Sequence, residues 1–253
     1  MTFCLGMRVK DGLVGIADTR VTSGHETITA RKLSTYTLGD GCFFVMTSGL
    51  RSVRDKVLTY FNEYIEGLNT PRDRMFKVVN DVAAQIRRAS AEDRAALEAN
   101  GTRFSVNVLA GGWMPADHEP KLYQLYPEAN WVEIGPGTPY HIIGAGGYGK
   151  PVLDRTLKFE DSLQFALKVG CLAFDSTRIS ASDVGFPIDV VVYDRASRTM
   201  VEQRFEEQDF HEISRHWQDR LRTSIHAMDV RWLEKVFRKL PAAAPPAPSE
   251  QDP

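Results

Sequence analysis

Apolar residues alternate along the start of the chain, where Phe3, Leu5, Met7 and Val9 are separated by smaller or polar residues. Leu13, Val14, Ile16 and Ala17 return as a second apolar run after Asp11-Gly12. Asp-Gly is a favoured two-residue hairpin turn, so the opening reads as one β-hairpin. A second β pair follows, with a strand over 26–36, a turn at Gly39-Asp40-Gly41 and a strand over 42–47. The spacing then becomes helical: Leu50, Val53, Val57, Phe61, Tyr64 and Leu68 share one face, and the helix ends near 67–69. Thr70 as N-cap, Pro71 at the first helical position and Asp73 at the third predict a second helix with a buried stripe of Met75, Val79, Val82 and Ile86. After a polar stretch over 89–101, β patterns return at 104–109, 121–125, 131–134 and 140–143. Helices are predicted at 149–158 and 161–176, and strands at 188–193 and 199–206. A long amphipathic helix then carries Ile213, Trp217, Leu221, Ile225, Met228 and Trp232. The Pro/Ala-rich residues 241–253 have no periodicity and are expected to be a disordered tail.

Strands and helices come in blocks rather than alternating, which predicts an α+β fold of antiparallel sheets with helices stacked outside, not a parallel doubly wound sheet. With 253 residues, 43% of them hydrophobic, one domain over 1–240 with a sizeable core is expected. The formal net charge is only −2 with Lys and Arg scattered, so neither a nucleic-acid stripe nor a membrane-binding face is expected. No secretory segment and no apolar run near the ~20 residues of a membrane span can be picked out, and the expected location is cytoplasmic. Cys4, Cys42 and Cys171 lie in apolar segments without Cys-x-x-Cys or Cys/His spacing and read as buried thiols.

Two patterns compete for chemistry and lose. Gly144-Ala145-Gly146-Gly147-Tyr148-Gly149 matches G-x-G-x-x-G between a strand and a helix, but the residues after it read as helix where a dinucleotide unit needs a further strand. His25, His118, His141, His211, His216 and His226 offer no metal-ligand spacing. No cofactor or metal is therefore expected.

Thr2 is the more promising residue. A Met before so small a residue is normally removed, which would leave Thr2 with a free α-amine beside its own hydroxyl. Such an amine titrates near ~7.7, suited to a general base at neutral pH, so one residue would supply nucleophile and base. Taken alone, position 2 carries little weight, since many chains have Ser, Thr or Ala there. Taken with the Ala17-Asp18-Thr19-Arg20 segment, Lys32 and Ser48-Gly49, it resembles the proteasome β-type N-terminal nucleophile hydrolases. The opening Met-Thr-Phe-Cys, Asp18-Thr19-Arg20, Arg31-Lys32-Leu33 and the run from Tyr148 to Arg155 most closely resemble the bacterial proteasome-related Anbu family, over roughly the first 240 residues.

That resemblance implies a four-layer αββα sandwich and a peptidase acting on peptides or unfolded proteins. Thr2 Oγ would attack the carbonyl, Lys32 would hold the amine's pKa down, Asp18 would position Lys32, and Gly49 would donate its N–H to the oxyanion. Ala30, Thr47 and Arg51 are implied near the side-chain pocket, Arg51 either biasing it toward acidic side chains or simply solvated. Thr22 is implied to pair its backbone with substrate. With Asp11-Gly12 as the turn, Asp18 falls opposite Leu5 and Thr2 opposite Val21, so Asp18's role rests on the resemblance and not on register. Ala145 stands where most relatives carry a serine that supports the amine, and Ser182 and Asp183 are the candidates for the remaining supporting pair. Removing Lys32 is expected to silence the site without unfolding the chain. The family also implies a large homo-oligomer, for which Met75-Phe76 and the Tyr60-Phe61-Tyr64 cluster are candidate surfaces, and leaves room for an unidentified ATPase partner. The competing readings are a catalytically silent scaffold subunit and an amidase of small amides.

Overall fold

The computed structural model describes residues 2–23, 26–68, 70 and 72–240. Removal of Met1, the expected tail at 241–253 and the place of Pro71 lie outside them. The chain divides into a unit over 1–211 and a second over 212–253.

The first unit opens with β1 (Phe3–Val9), β2 (Gly12–Asp18), β3 (Arg20–Ser23), β4 (Glu26–Thr29), β5 (Leu33–Leu38) and β6 (Gly41–Gly49). The helices α1 (Arg51–Glu66) and α2 (Met75–Ala99) follow, then β7 (Val106–Trp113), β8 (Lys121–Leu125), β9 (Trp131–Glu133) and β10 (Tyr140–Gly144). The helices α3 (Lys150–Thr156) and α4 (Leu163–Ser180) and the strands β11 (Ile188–Asp194) and β12 (Thr199–Phe205) complete the layers, and α5 (Glu207–His226) begins before the unit boundary. In the second unit a short 3-10 turn, Arg231–Leu233, precedes α6 (Glu234–Phe237).

Among the described residues the strands form two five-stranded antiparallel sheets, ordered β10-β1-β2-β11-β12 and β5-β6-β7-β8-β9, with β3-β4 a separate hairpin. Three apolar cores fix the layers. Val53, Val57 and Phe61 of α1 and Val79, Val82 and Ile86 of α2 pack on Phe43, Val45 and Val108 of the second sheet. Phe3, Leu5 and Met7 of β1 pack on Ala166, Ala173 and Phe174 of α4. Cys4, Leu13, Phe44, Met46, Leu109 and Val191 meet between the sheets. The layer order is thus helix, sheet, sheet, helix, as expected.

The alternation in β1 means something other than an in-and-out strand, because every residue of β1 is buried. Its large residues face α4, while Cys4 and Gly6 face the other sheet, where a Cβ on Gly6 would come within 3.0 Å of Leu122. Small residues at these positions let two sheets close on each other. Arg8 is buried too and is neutralised by Glu119 at 2.6 Å and Glu133 at 3.0 Å.

Several expectations need correction. Val9 pairs with Gly12, so the turn is Lys10-Asp11, one residue earlier than expected. Gly12 instead pairs with Asp194, and a Cβ there would sit 1.9 Å from the Tyr193 carbonyl oxygen. The expected strand over 26–36 breaks at residues 30–32 into β4 and β5. α2 starts at Met75 rather than at Thr70, because Asp117, from the loop after β7, takes the Met75 N–H at 2.8 Å. It also runs on to Ala99 through the polar stretch, a segment of strong helix formers tied to α1 by Lys56 with Glu92 and Asp93, both at 2.7 Å. Of the expected outward surfaces, Met75 and Phe61 are core, Phe76 is exposed, and Tyr60 lies under the Arg88 guanidinium at 3.7 Å. Cys4 is fully buried, but Cys42 and Cys171 are only partly so.

Asp117 caps from a distance of 42 residues, accepting from Met75 and, at 3.3 Å, from Met114. Asp117→Ala is expected to cost about 1–2 kcal/mol. At about 2–4 °C per kcal/mol for a chain of this size, a melting curve resolves the loss. Asp117→Asn, which keeps an acceptor, should recover most of it, and an Asp117→Ala melting point equal to wild type would remove Asp117 as the cap.

Candidate functional site

The start of β1 is held from two sides. Phe3 donates its backbone N–H to Asp18 Oδ1 at 2.8 Å, and the Thr2 carbonyl accepts from the Ala145 N–H at 2.6 Å. The second contact requires a glycine before Ala145: Gly144 has φ +95°, and a Cβ there would lie 1.9 Å from the Thr2 oxygen. The glycine-rich run therefore serves to clasp Thr2. It leads from an antiparallel strand, β10, into α3 and then α4, so no βαβ unit surrounds it.

Asp18 ends β2, and the true register, with Cys4 opposite Ala17, brings it opposite Phe3 instead of Leu5. The same Oδ1 accepts from Lys32 Nζ at 2.7 Å, and Lys32 also donates to the Arg20 carbonyl at 2.6 Å. Both side chains are fully buried. Burial pushes the Asp18 carboxyl above its ordinary value, while the Lys32 charge and the Phe3 and Gly185 N–H groups pull it back down. Lys32 reaches this place because β4 stops at Thr29. The Ala30 N–H then bonds the Thr19 carbonyl at 2.8 Å, and the Lys32 carbonyl accepts from the Thr47 N–H at 3.0 Å.

A cavity of about 640 Å³ opens above this pair, lined among others by Thr2, Thr22, Ser48, Gly49, Arg51 and Arg54. Thr2 remains 8% exposed there. Gly49 closes β6 one residue before the N-cap of α1, with φ +115°, and its missing Cβ would lie 2.4 Å from the Ser105 oxygen. Thr22 lies in β3, which among the described residues pairs only with β4, leaving its other edge unpaired, and Val21, Thr22 and Ile28 of this hairpin line the cavity.

Of the residues singled out in the sequence, Thr2, Thr22, Gly49 and Arg51 share the cavity wall, and Asp18 and Lys32 lie buried and linked to β1. Ala30 and Thr47 do not line the cavity, and Thr47 is fully buried with its Oγ1 unpartnered. Ser182 and Asp183 do not line it either. They sit in the loop after α4, where the Ser182 carbonyl accepts from Arg20 at 3.1 Å. From that loop it is the Gly185 backbone that acts on Asp18, and Pro187 accepts from both the N–H and the hydroxyl of Thr19, at 3.0 and 2.6 Å. Arg54 was not anticipated. Next to Val53 in a helical pattern it reads as a solvated arginine, yet it is only 2% exposed. Cys4 lies close to Lys32, Asp18 and Arg54, and burial pushes its thiol up to about 12, so it is a neutral neighbour.

Among the described residues no group of three or more His, Cys, Asp or Glu is placed to hold a metal ion, and no helix is long and apolar enough to cross a membrane.

Residues 2–193 match the family model described as proteasome subunit. The fold is similar to the Gly-1 mutant of Anbu from Hyphomicrobium sp. strain MC1, with TM-score 0.83 and 31% identity over 90% of this chain and 98% of that one. It is also similar to Anbu from Pseudomonas aeruginosa, solved as the helical assembly of the Anbu complex, with TM-score 0.79 and 31% identity over 99% of this chain and 100% of that one. For Anbu (ancestral beta-subunit) from Yersinia bercovieri the TM-score is 0.79 at 25% identity, covering 96% and 98%. A search among curated proteins returns no match. A chain whose residues 2–193 match the proteasome-subunit model, and 90–99% of which is covered by these structures, belongs to the proteasome subunit family and, within it, to the Anbu group.

Proposed function

We propose that this protein is an N-terminal threonine peptidase that works inside a homo-oligomeric assembly in the cytoplasm. The observation that carries the reading is the sharing of Asp18 Oδ1 between the Phe3 N–H and Lys32 Nζ, which ties a buried ammonium to the strand that Thr2 begins. With Met1 removed, the Thr2 amine takes the hydroxyl proton as Oγ attacks the peptide carbonyl. The Gly49 N–H receives the oxyanion. The C–N bond then breaks, the leaving amine takes the proton from the Thr2 ammonium, and an acyl ester remains on Oγ. Water, deprotonated by the same amine, releases the acid and restores Thr2. Lys32, charged and out of solvent, favours the neutral amine and the developing negative charge. The free edge of β3 at Thr22 suits backbone pairing with an extended peptide.

A second reading has one observation in its favour. Ala145, bonded through its N–H to the Thr2 carbonyl, carries a buried methyl group in place of a hydroxyl that would support the amine, as expected of a subunit retained for assembly alone. An oligomer suits either reading, and the Pseudomonas aeruginosa relative forms a helical assembly. An ATPase that unfolds substrate is compatible with both.

Intact mass, labelling, melting and light scattering decide. Intact mass of the purified protein should lack the initiator Met, and a peptide epoxyketone, which couples hydroxyl and adjacent amine, should label Thr2 but not a folded Thr2→Ala variant. Retained Met1, or labelling of Thr2→Ala, ends the nucleophile assignment. For Lys32 the burial changes the choice of variant: Lys32→Ala leaves Asp18 charged and unpaired in the core, at a cost of about 3–5 kcal/mol, and so is expected to unfold much of the protein. The double variant Asp18→Asn/Lys32→Met keeps shape and the Phe3 acceptor. It should melt near wild type and label about 100-fold more slowly or worse, and unchanged labelling would take the pair out of the mechanism. Light scattering should give a mass many times the protomer's 28.4 kDa at micromolar concentration, and a salt-independent monomer would refute the assembly.

A further inference from the structure

Arg54 is a buried cation in the cavity wall whose chemistry the proposed mechanism leaves unused. It lies on the first turn of α1, its N–H bonded to the Leu50 carbonyl at 3.0 Å, and its side chain is only 3% exposed. Its Nε has no hydrogen-bond partner among the described residues. Its charge partner is Asp55 at 3.8 Å, beyond hydrogen-bonding range, and that carboxylate is 55% exposed and also engaged by Arg51 at 3.3 Å. A guanidinium N–H out of water without a hydrogen bond is costly, and the planar fork of the group is matched by a carboxylate. None of the residues lining the cavity is acidic, Arg51 adds a second cation, and Asp18, the buried carboxylate that shares Cys4 as a neighbour with Arg54, is taken by Lys32. The anion that satisfies Arg54 must then enter the cavity.

Resting on the peptidase reading, we infer that the cavity selects substrates with an Asp or Glu side chain on the residue whose carbonyl Thr2 attacks, and that Arg54 is the residue that recognises it. Gly49 directly precedes Leu50, the N-cap of α1, and Arg54 lies one turn beyond that cap in the same cavity wall, which suits an oxyanion at Gly49 and a side chain reaching Arg54 from one substrate residue. Arg51, 53% exposed, lies at the rim and contributes mainly to steering.

The test uses two peptide epoxyketones that differ only in Glu or Gln at the residue bearing the electrophile. Wild type should label with the Glu probe about ten-fold faster or more, Arg54→Met should bring the ratio close to one, and Arg51→Ala should leave most of the preference. Thr2 labelling by the Gln probe without a Glu preference overturns this inference and leaves the nucleophile intact. If neither probe labels Thr2, the nucleophile reading fails, and calorimetry on Thr2→Ala with acetylated peptides ending in Glu-amide or Gln-amide decides the pocket. A Glu preference lost in Arg54→Met sustains it, and equal or no binding overturns it. Arg54→Met should also melt at or above the wild-type temperature, since it removes an unsatisfied buried charge. A fall of several degrees would show that Arg54 holds the fold instead, and overturns the inference.

Discussion

The buried pair of Asp18 and Lys32 is the constraint around which the first fifty residues are arranged. Taking both charges out of water is expensive, and further hydrogen bonds to Asp18 Oδ1 and Lys32 Nζ offset part of that cost, while Asp18 Oδ2 has no hydrogen-bond partner among the described residues. The Arg20 carbonyl and the Phe3 N–H make those bonds, and each comes from a different piece of chain. To bring the Arg20 carbonyl and Lys32 together the chain must leave the sheet after β2, make the small β3-β4 hairpin and re-enter at β5, which is why one expected strand became two. To bring the Phe3 N–H to Asp18, β1 and β2 must pair in one register only, because a slip of one residue would put the carboxylate on the opposite face. The contacts of Thr19 with Pro187 then anchor this corner to the loop before β11.

What could be read from the sequence follows the same division between local and distant causes. Strand and helix blocks were legible because alternation and helical spacing are local, and the four-layer order followed from the blocks together with the family resemblance. The hairpin register was not, since Asp11-Gly12 is a strong turn signal that is overridden by a third strand: Gly12 is needed where β11 passes, beside the Tyr193 carbonyl. The start of α2 was misread for a similar reason. Thr70 and Asp73 are good local caps, but Asp117, far along the chain, takes the end N–H.

At the site, Thr2, Lys32 and Gly49 were legible as types of residue in a familiar order, whereas the cavity's chemistry was not. Arg54 carries no local sign of burial. One arginine beside an apolar stripe is ordinarily solvated, and only the packing of α1 against the start of β7, where the Leu50 N–H meets the Ser105 carbonyl at 2.9 Å, encloses it. The G-x-G-x-x-G run shows the opposite error, a pattern with a well-known chemical meaning that here answers a steric need, the approach of the Thr2 carbonyl to Gly144 and Ala145.

Charge around the strand start is deliberately unbalanced. Lys32, Arg54 and Asp18 surround Cys4, two cations to one carboxylate, and burial keeps the Cys4 thiol protonated, so it cannot supply the missing negative charge. In the proposed mechanism this excess has two consequences that reinforce each other. It disfavours a charged amine at Thr2 and favours negative charge on the attacked carbonyl, both of which speed attack. It also makes the cavity attractive to an anion. A substrate carboxylate seated on Arg54 would cancel that ion's share of the field, leaving Lys32, which Asp18 holds by hydrogen bond, as the cation whose position relative to Thr2 does not depend on what is bound. The division of labour between a fixed ammonium below the strand and a substrate-satisfied guanidinium in the wall follows from which of the two has a partner within the protein.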